Sequence, residues 1–294
     1  LAVHKDTGEV AWRDERAFVR RGFSTPLLYD PPEGGGLQVL VTGSYRLIAY
    51  SVASGKKVWW TRGLTWQQKP TPVKDRDTIY VQNWAGGADL GNQKQVPSFE
   101  TALKKYDEDQ DGKLSREEAP DPAMTGNWPH FDLDQDGYLD ARNWEQYRNR
   151  SASVNSVMAI RLGGEGDMSE SAIKWRYHKS LPNVPSPLLY KGVLYMMKEG
   201  GIVTSLDPET GKVLKQARLH GALGRYFASP VAADNKIFVV SEEGAISVLK
   251  PGANWEVLAT NDLGEPCYAT PAIVDGRIYV RTTKALYCFS DKGE

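Results

Sequence analysis

Five stretches of the chain begin in the same way, with a small residue, then proline, then a short apolar run. They read STPLLYD at Pro26, PTPVKD at Pro72, PSPLLYKG at Pro187, ASPVAADN at Pro230 and ATPAIVDG at Pro271. After a turn each continues as a β-rich stretch: LQVLVTG, DTIYVQNW, GVLYMMKE, NKIFVVSE and GRIYVRTT. A third stretch then alternates toward a Gly-containing turn, as in RLIAYSVASGKKVWW and GIVTSLDPETGKVL. That makes four short strands per unit. The prolines stand 46, 115, 43 and 41 residues apart, so one interval carries about 70 residues more than a period near 40 to 45 requires.

A period of that length with four strands per repeat predicts an all-β chain built as a β-propeller of four-stranded blades. One blade alone cannot cover both of its apolar faces; stacking it radially against its neighbours does so and leaves only short strand edges. Proline at the start of the innermost strand is tolerated, because its missing N–H falls where the ladder is only beginning. Residues 1 to 12 start within a repeat, at its third strand, and the last residues stop near a third strand. The pattern is therefore read as part of a larger ring of seven or eight blades. The expected division is 1–96 propeller, 97–150 a small helical insertion between strands of one blade, and 151–294 propeller again.

A second signature runs through the repeats. TGEVAW ends in Trp12, SGKKVWW places Trp59 at the same offset, and AIKWRY with Trp175 is a looser copy. With the Ser/Thr-Pro strand starts, these residues resemble the pyrroloquinoline-quinone-type β-propeller repeats, a family that includes quinoprotein dehydrogenases, the propeller lipoprotein of the outer-membrane barrel-assembly machinery and other bacterial extracytoplasmic proteins. The resemblance implies that each Trp wedges between adjacent blades, and that the protein is periplasmic or secreted. The chain departs from the pattern at TGKVLK, where Lys215 stands in the Trp position, and in the fifth copy, which lacks the Thr-Gly pair.

Composition narrows the function. Lys plus Arg number 36 against 37 Asp plus Glu, which offers no basic field for nucleic acid, and no apolar run is long enough to span a bilayer as a helix. The four histidines lack a metal-ligand spacing and read as surface or loop residues. Cys267 and Cys288 are too few for a disulfide framework or a Cys-based zinc or haem site; they read as two unpaired thiols, with a bridge between them as the alternative.

The long interval carries the clearest chemistry. Asp107 to Glu118 reads DEDQDGKLSREE and matches the D-x-[DN]-x-[DN]-G-x5-E loop at every defined position. Calcium takes six to eight oxygens, and alternate side chains of a tight loop converge on one point. Asp107, Asp109 and Asp111 are expected to supply carboxylates, Lys113 its backbone carbonyl, Ser115 a water-mediated contact and Glu118 two oxygens, with Gly112 at the sharp turn. A second copy, DLDQDGYLDARN, offers Asp132, Asp134, Asp136, the Tyr138 carbonyl, Asp140 and Asn143. Asn143 replaces the bidentate Glu, which predicts weaker calcium binding there.

Leu103 and Tyr106 precede the first loop by the offsets at which Trp128 and Phe131 precede the second, and Leu114 and Leu139 share the eighth loop position. This pattern predicts an EF-hand pair. Pro120, Pro122 and Pro129 keep its middle helices short, which favours a rigid pair over an opening sensor. From Glu100 to Glu145 there are 13 acidic and 5 basic residues, a net −8 that leaves +7 on the rest of the chain.

In a propeller the insertion shares a face with the inter-blade loops, which contain Arg16, Arg20, Arg21, Arg62, Lys69, Lys179 and Arg225 with Trp66 and Tyr226. This rim is expected either to clamp the acidic module or to receive a protein, glycan or other anionic ligand. Quinoproteins of the resembled family show adjacent cysteines over the quinone, whereas Cys267 and Cys288 lie 21 residues apart. The reading is therefore a non-catalytic, calcium-binding scaffold, with a pyrroloquinoline-quinone-dependent dehydrogenase as the alternative.

Overall fold

The computed structural model describes residues 1–16 and 22–290. Arg20 and Arg21 of the expected rim lie outside the described residues. The first complete blade is the antiparallel meander Leu27–Tyr29, Gln38–Gly43, Arg46–Ser51 and Lys57–Arg62. The second is Val73–Asp75, Thr78–Asn83, Ser156–Arg161 and Ile173–Tyr177; the third Leu188–Tyr190, Val193–Lys198, Ile202–Leu206 and Val213–Arg218; the fourth Val231–Ala233, Lys236–Val240, Ala245–Lys250 and Glu256–Asp262. Ala272–Val274, Arg277–Arg281 and Leu286–Ser290 form a fifth, three-stranded sheet, and Ala2–Val3 pairs with Val10–Trp12 ahead of the first blade.

The first strand of each blade follows its proline, and from the second blade to the fifth these strands adjoin one another in chain order, which puts them innermost. A chain of hydrogen bonds explains the residue before each proline. The Thr25 N–H donates to Thr71 Oγ1 (3.4 Å), Thr71 N–H to Ser186 Oγ (2.9 Å), Ser186 N–H to Ser229 Oγ (2.9 Å) and Ser229 N–H to Thr270 Oγ1 (3.0 Å). Each hydroxyl satisfies an amide of the preceding blade that has no ladder partner, a net gain of about 1 kcal/mol per bond. A hydroxyl at four of these five positions, Thr71, Ser186, Ser229 and Thr270, thus latches blade to blade around the centre.

The core lies between blades. Leu40, Leu47 and Trp59 of the first blade pack with Ile79, Val81, Met158 and Ile160 of the second. Tyr80 and Ala159 meet Leu194, Met196 and Leu206 at the next seam, and Tyr195 and Val203 meet Ile237, Val239 and Leu249 at the one after.

The Trp motif works across a seam as well. Trp12 donates its indole N–H to Val52 O (2.8 Å) and covers Gly55; Trp175 donates to Pro208 O (2.9 Å) and covers Gly211. A Cβ at Gly55 or Gly211 would stand 2.5 or 2.6 Å from indole carbons, and both glycines have φ near +70° (+70° and +71°). The glycine of one repeat therefore receives the tryptophan of the repeat before it. Where Lys215 replaces Trp, the next blade compensates. Trp255 is buried, and Lys215 Nζ lies 4.4 Å from its ring centroid while donating to its carbonyl at 2.5 Å.

Within the second blade the chain leaves the sheet after Asn83 and re-enters at Ser156. The excursion carries helix α1 (Phe99–Tyr106), the short α2 (Pro122–Gly126), a 3-10 turn (Trp128–His130) and α3 (Ala141–Ala152). Its two ends are joined by Asn155, a fully buried side chain that accepts from the Ala85 N–H (2.7 Å) and donates to Ala85 O and Asp89 Oδ1 (3.0 Å each).

Candidate metal-binding loops on a blade insertion

Helix α1 begins where Ser98 accepts the Thr101 N–H (3.3 Å), with Glu100 in its first turn and Lys104 and Lys105 in its last, all arranged to complement the helix dipole. It ends at Asp107, whose N–H still bonds Leu103 O. The chain then turns back through Gln110 (φ +60°) and Gly112 (φ +82°), and the second loop repeats the course through Gln135 (φ +62°) and Gly137 (φ +91°). Leu114 and Leu139 exchange N–H···O bonds of 3.1 and 2.8 Å, which sets the loops side by side. Both leucines are fully buried and pack with Met124, Trp128, Phe131, Trp144 and Tyr147; Leu103 and Tyr106 lie against that cluster. Between the loops no regular helix follows Glu118, and α2 spans only five residues, in keeping with Pro120 and Pro122.

Local hydrogen bonds pre-shape the carboxylates. Asp107 Oδ2 accepts the Gly112 N–H and Asp132 Oδ2 the Gly137 N–H, both at 3.1 Å. Asp109 accepts from Asp111 N–H (3.2 Å), Asp111 from Lys113 N–H (2.8 Å) and Asp136 from Tyr138 N–H (2.9 Å). Glu118 closes the first loop, taking the Ser115 N–H on Oε2 (2.8 Å) and the Glu108 N–H on Oε1 (2.7 Å). The Ser115 amide in particular holds the Glu118 carboxyl below its usual range. Ser115 Oγ stands 3.4 Å from the Glu118 N–H, and Asp140 caps α3 by accepting the Asn143 N–H at 2.8 Å, so the ninth position of both loops is engaged with the twelfth.

Carboxylate oxygens of Asp107, Asp109 and Glu118 gather within 4.8 Å of one another, as do those of Asp132, Asp134 and Asp136. Asp111 lies outside the first group. Oδ1 of Asp107 and Oδ1 of Asp132 are both buried without a hydrogen-bond partner, and the Asp132 side chain as a whole is only 5% exposed. An ionised oxygen held away from water without a donor costs free energy that a bound cation removes. All-oxygen donors of this kind suit a hard divalent ion.

At the end of the second loop, the buried Asn143 carboxamide is satisfied with its oxygen toward the Leu133 N–H (3.1 Å) and its NH2 on Asp140 Oδ1 (2.8 Å). The inward atom then stands 3.4 Å from Asp134 Oδ1 and 3.5 Å from the Tyr138 carbonyl, so one neutral oxygen faces the second group where Glu118 offers two charged ones to the first.

The insertion is fastened to the propeller by a stacked cation. The Arg150 guanidinium, near the end of α3, lies 4.3 Å from the Trp66 ring centroid and 5.2 Å from that of Phe131. Its burial pulls the guanidinium below its ordinary value. The polarity of this clamp is the reverse of the sequence expectation, since the cation comes from the insertion and the aromatic face from the rim. Other rim residues have local partners: Arg62 pairs with Asp167 (3.0 Å), Lys69 with Asn183 (2.5 Å) above the Trp84 ring, and Arg225 lies 3.9 Å from Glu242. Tyr226 does not belong to the rim surface. It is 1% exposed and its hydroxyl donates to Ala222 O (2.6 Å), because the turn at residues 222–226 folds it into the seam between the third and fourth blades.

A strap leading into α1 covers the aromatic side of the insertion. Trp144 Nε1 donates to Pro97 O (2.9 Å), Arg148 Nε to Val96 O (3.3 Å), and Lys94 Nζ pairs with Asp121 (2.7 Å). Both cysteines are free; Cys267 is buried and Cys288 exposed.

The family model for "Outer membrane protein assembly factor BamB" matches residues 1–128 and 165–293. The chain belongs to this family. Among solved structures it is similar to BamB from Moraxella catarrhalis, at 12% identity and a TM-score of 0.55, over 96% of this chain and 63% of that one. It also aligns with the computationally designed Ika8 protein at 9% identity and a TM-score of 0.47, over 87% of this chain and 65% of that one. The chain thus spans less than two thirds of the length of either. No curated protein matches it in sequence. The family match and the likeness in fold to BamB together support a propeller of PQQ-like repeats. No helix among the described residues is long and apolar enough to cross a membrane.

Proposed function

We propose that this chain is a non-catalytic, periplasmic or secreted bacterial scaffold, which binds a protein partner and carries an EF-hand pair that binds calcium on its second blade. The observation that carries the calcium reading is the pair of buried, partnerless Oδ1 atoms at the first position of two loops joined through Leu114 and Leu139. In the first loop Asp107, Asp109 and Glu118 would hold the ion, with Asp111, the Lys113 carbonyl and Ser115 completing the shell. In the second, Asp132, Asp134, Asp136, the Tyr138 carbonyl and Asn143 would hold it more weakly, with Asp140 occupied in capping α3. The strap over Trp144 and the absence of a long middle helix among the described residues favour calcium as a structural fastener. They leave little for a calcium-driven opening to expose.

A protein partner is favoured by membership of a family described by outer membrane protein assembly. The alternative, a quinone-dependent dehydrogenase, draws no support from the cysteines, one of which is buried against the Arg281 carbonyl (3.1 Å) while the other is exposed. Reconstitution with pyrroloquinoline quinone and calcium, followed by dye reduction with alcohols and sugars, tests the choice. The scaffold reading expects no turnover above the buffer control, and sustained substrate-dependent reduction would overturn it.

A further inference from the structure

The backbone of Lys113 belongs to the first loop, but its ammonium crosses to the second. Nζ stands 2.8 Å from Asp136 Oδ2 and 5.1 Å from the centroid of the Tyr138 ring. Asp136 Oδ1 meanwhile accepts the Tyr138 N–H, so both of its oxygens are engaged, whereas Asp132 Oδ1 beside it has no partner. Asp136 belongs to the group of oxygens that converges with Asp132 and Asp134. One of the three carboxylates aimed at the second site is thus already paired with a cation, from a residue of the first.

We propose that Lys113 is a tethered counter-cation that sets the calcium affinity of the second loop below what its own carboxylates would give. The proposal rests on the calcium reading above. A divalent ion entering the second loop must either displace the ammonium from Asp136 or settle beside a fixed positive charge, and both weaken binding. Removing one positive charge a few ångströms from a divalent ion in a solvated loop corresponds to about a three- to tenfold change in affinity, less at high salt. The first loop keeps its ligand, because it uses the Lys113 carbonyl and not the side chain.

The test is calcium titration by calorimetry on the full chain, with and without Lys113→Gln. The amide resonance of Gly137 reports the second loop and that of Gly112 the first. Lys113→Gln should tighten binding at the second loop about three- to tenfold in low salt, with the gain shrinking in about 0.5 M KCl, and should leave the first loop within about twofold. Lys113→Arg, which keeps the charge, should behave as the parent and serves as the check that the site tolerates substitution. Unchanged or weaker binding at the second loop in a folded Lys113→Gln, with calcium still moving Gly137 in the parent, overturns this proposal alone. No response of either glycine in the parent at millimolar calcium overturns the calcium reading and this proposal with it.

Discussion

Arg150 is the most informative place to perturb the fastening of the insertion to the propeller. Its guanidinium lies 4.3 Å from the ring centroid of Trp66 and 5.2 Å from that of Phe131. A cation–π contact contributes from about 0.5 kcal/mol when exposed to about 2 kcal/mol when desolvated. Arg150 is half-buried in the seam, so the Trp66 contact should fall in the upper part of that range, about 1 to 2 kcal/mol. A double-mutant cycle over Arg150→Ala and Trp66→Ala isolates the contact from the packing each side chain loses by itself. Urea unfolding followed by tryptophan fluorescence and by far-UV circular dichroism supplies the four stabilities. The expected coupling is about 1 to 2 kcal/mol. Arg150→Lys should recover less than half of it, because an ammonium does not lie flat on the indole. Two additive single mutants, with coupling below about 0.3 kcal/mol, would show that the contact between Arg150 and Trp66 contributes nothing to holding the insertion.

Gly211→Ala should destabilise the chain by about 2 to 4 kcal/mol in denaturant melts, since the new Cβ meets the Trp175 indole at 2.6 Å and the residue must hold φ +71°. Trp175→Ala in the same background should relieve part of that loss. In calcium-free protein the order of the first loop should fall with acid. Glu118 titrates below its ordinary value in the folded chain, so its contribution is complete above the unfolded value of about 4.3 and is lost as pH falls from there through the lower folded value. The Ser115 amide shift followed against pH should show a midpoint below about 4.3, and Glu118→Gln should abolish it.

Much of the architecture was legible because the repeat is written in residues with fixed backbone demands. Proline marks each inner strand, and tryptophans of the repeat motif mark two of the seams, where Trp12 covers Gly55 and Trp175 covers Gly211. The residue before the proline was equally visible as Ser or Thr, but its purpose was not. A hydroxyl that accepts an amide from the neighbouring blade is a contact across 41 to 115 residues in the four latches, and local pattern reading has no access to it. Trp255 standing in for the tryptophan missing at Lys215 is hidden for the same reason, since the compensation comes from the next repeat at a different offset.

The convergence of Asp107, Asp109 and Glu118, and of Asp132, Asp134 and Asp136, could be read from the sequence, because a tight loop brings alternate positions together without help from the rest of the fold. Asp111, by contrast, lies outside the first group, and Asp140 caps α3. The external partners of the loops could not be read. The Lys113 bridge to Asp136 depends on how the two loops are paired, and the Arg150 stack on how the insertion lies on the rim. Tyr226 was misplaced because an aromatic in a polar loop sequence looks the same whether the loop points it outward or folds it beneath.

Calorimetric titration of calcium into the parent chain, Asp107→Ala and Asp132→Ala decides whether the paired loops bind the ion. Two binding events of unequal affinity are expected in the parent, with loss of the tighter one in Asp107→Ala and of the weaker one in Asp132→Ala. An absence of calcium-dependent heat at millimolar concentration, supported by equilibrium dialysis that finds no bound ion, would contradict the calcium reading.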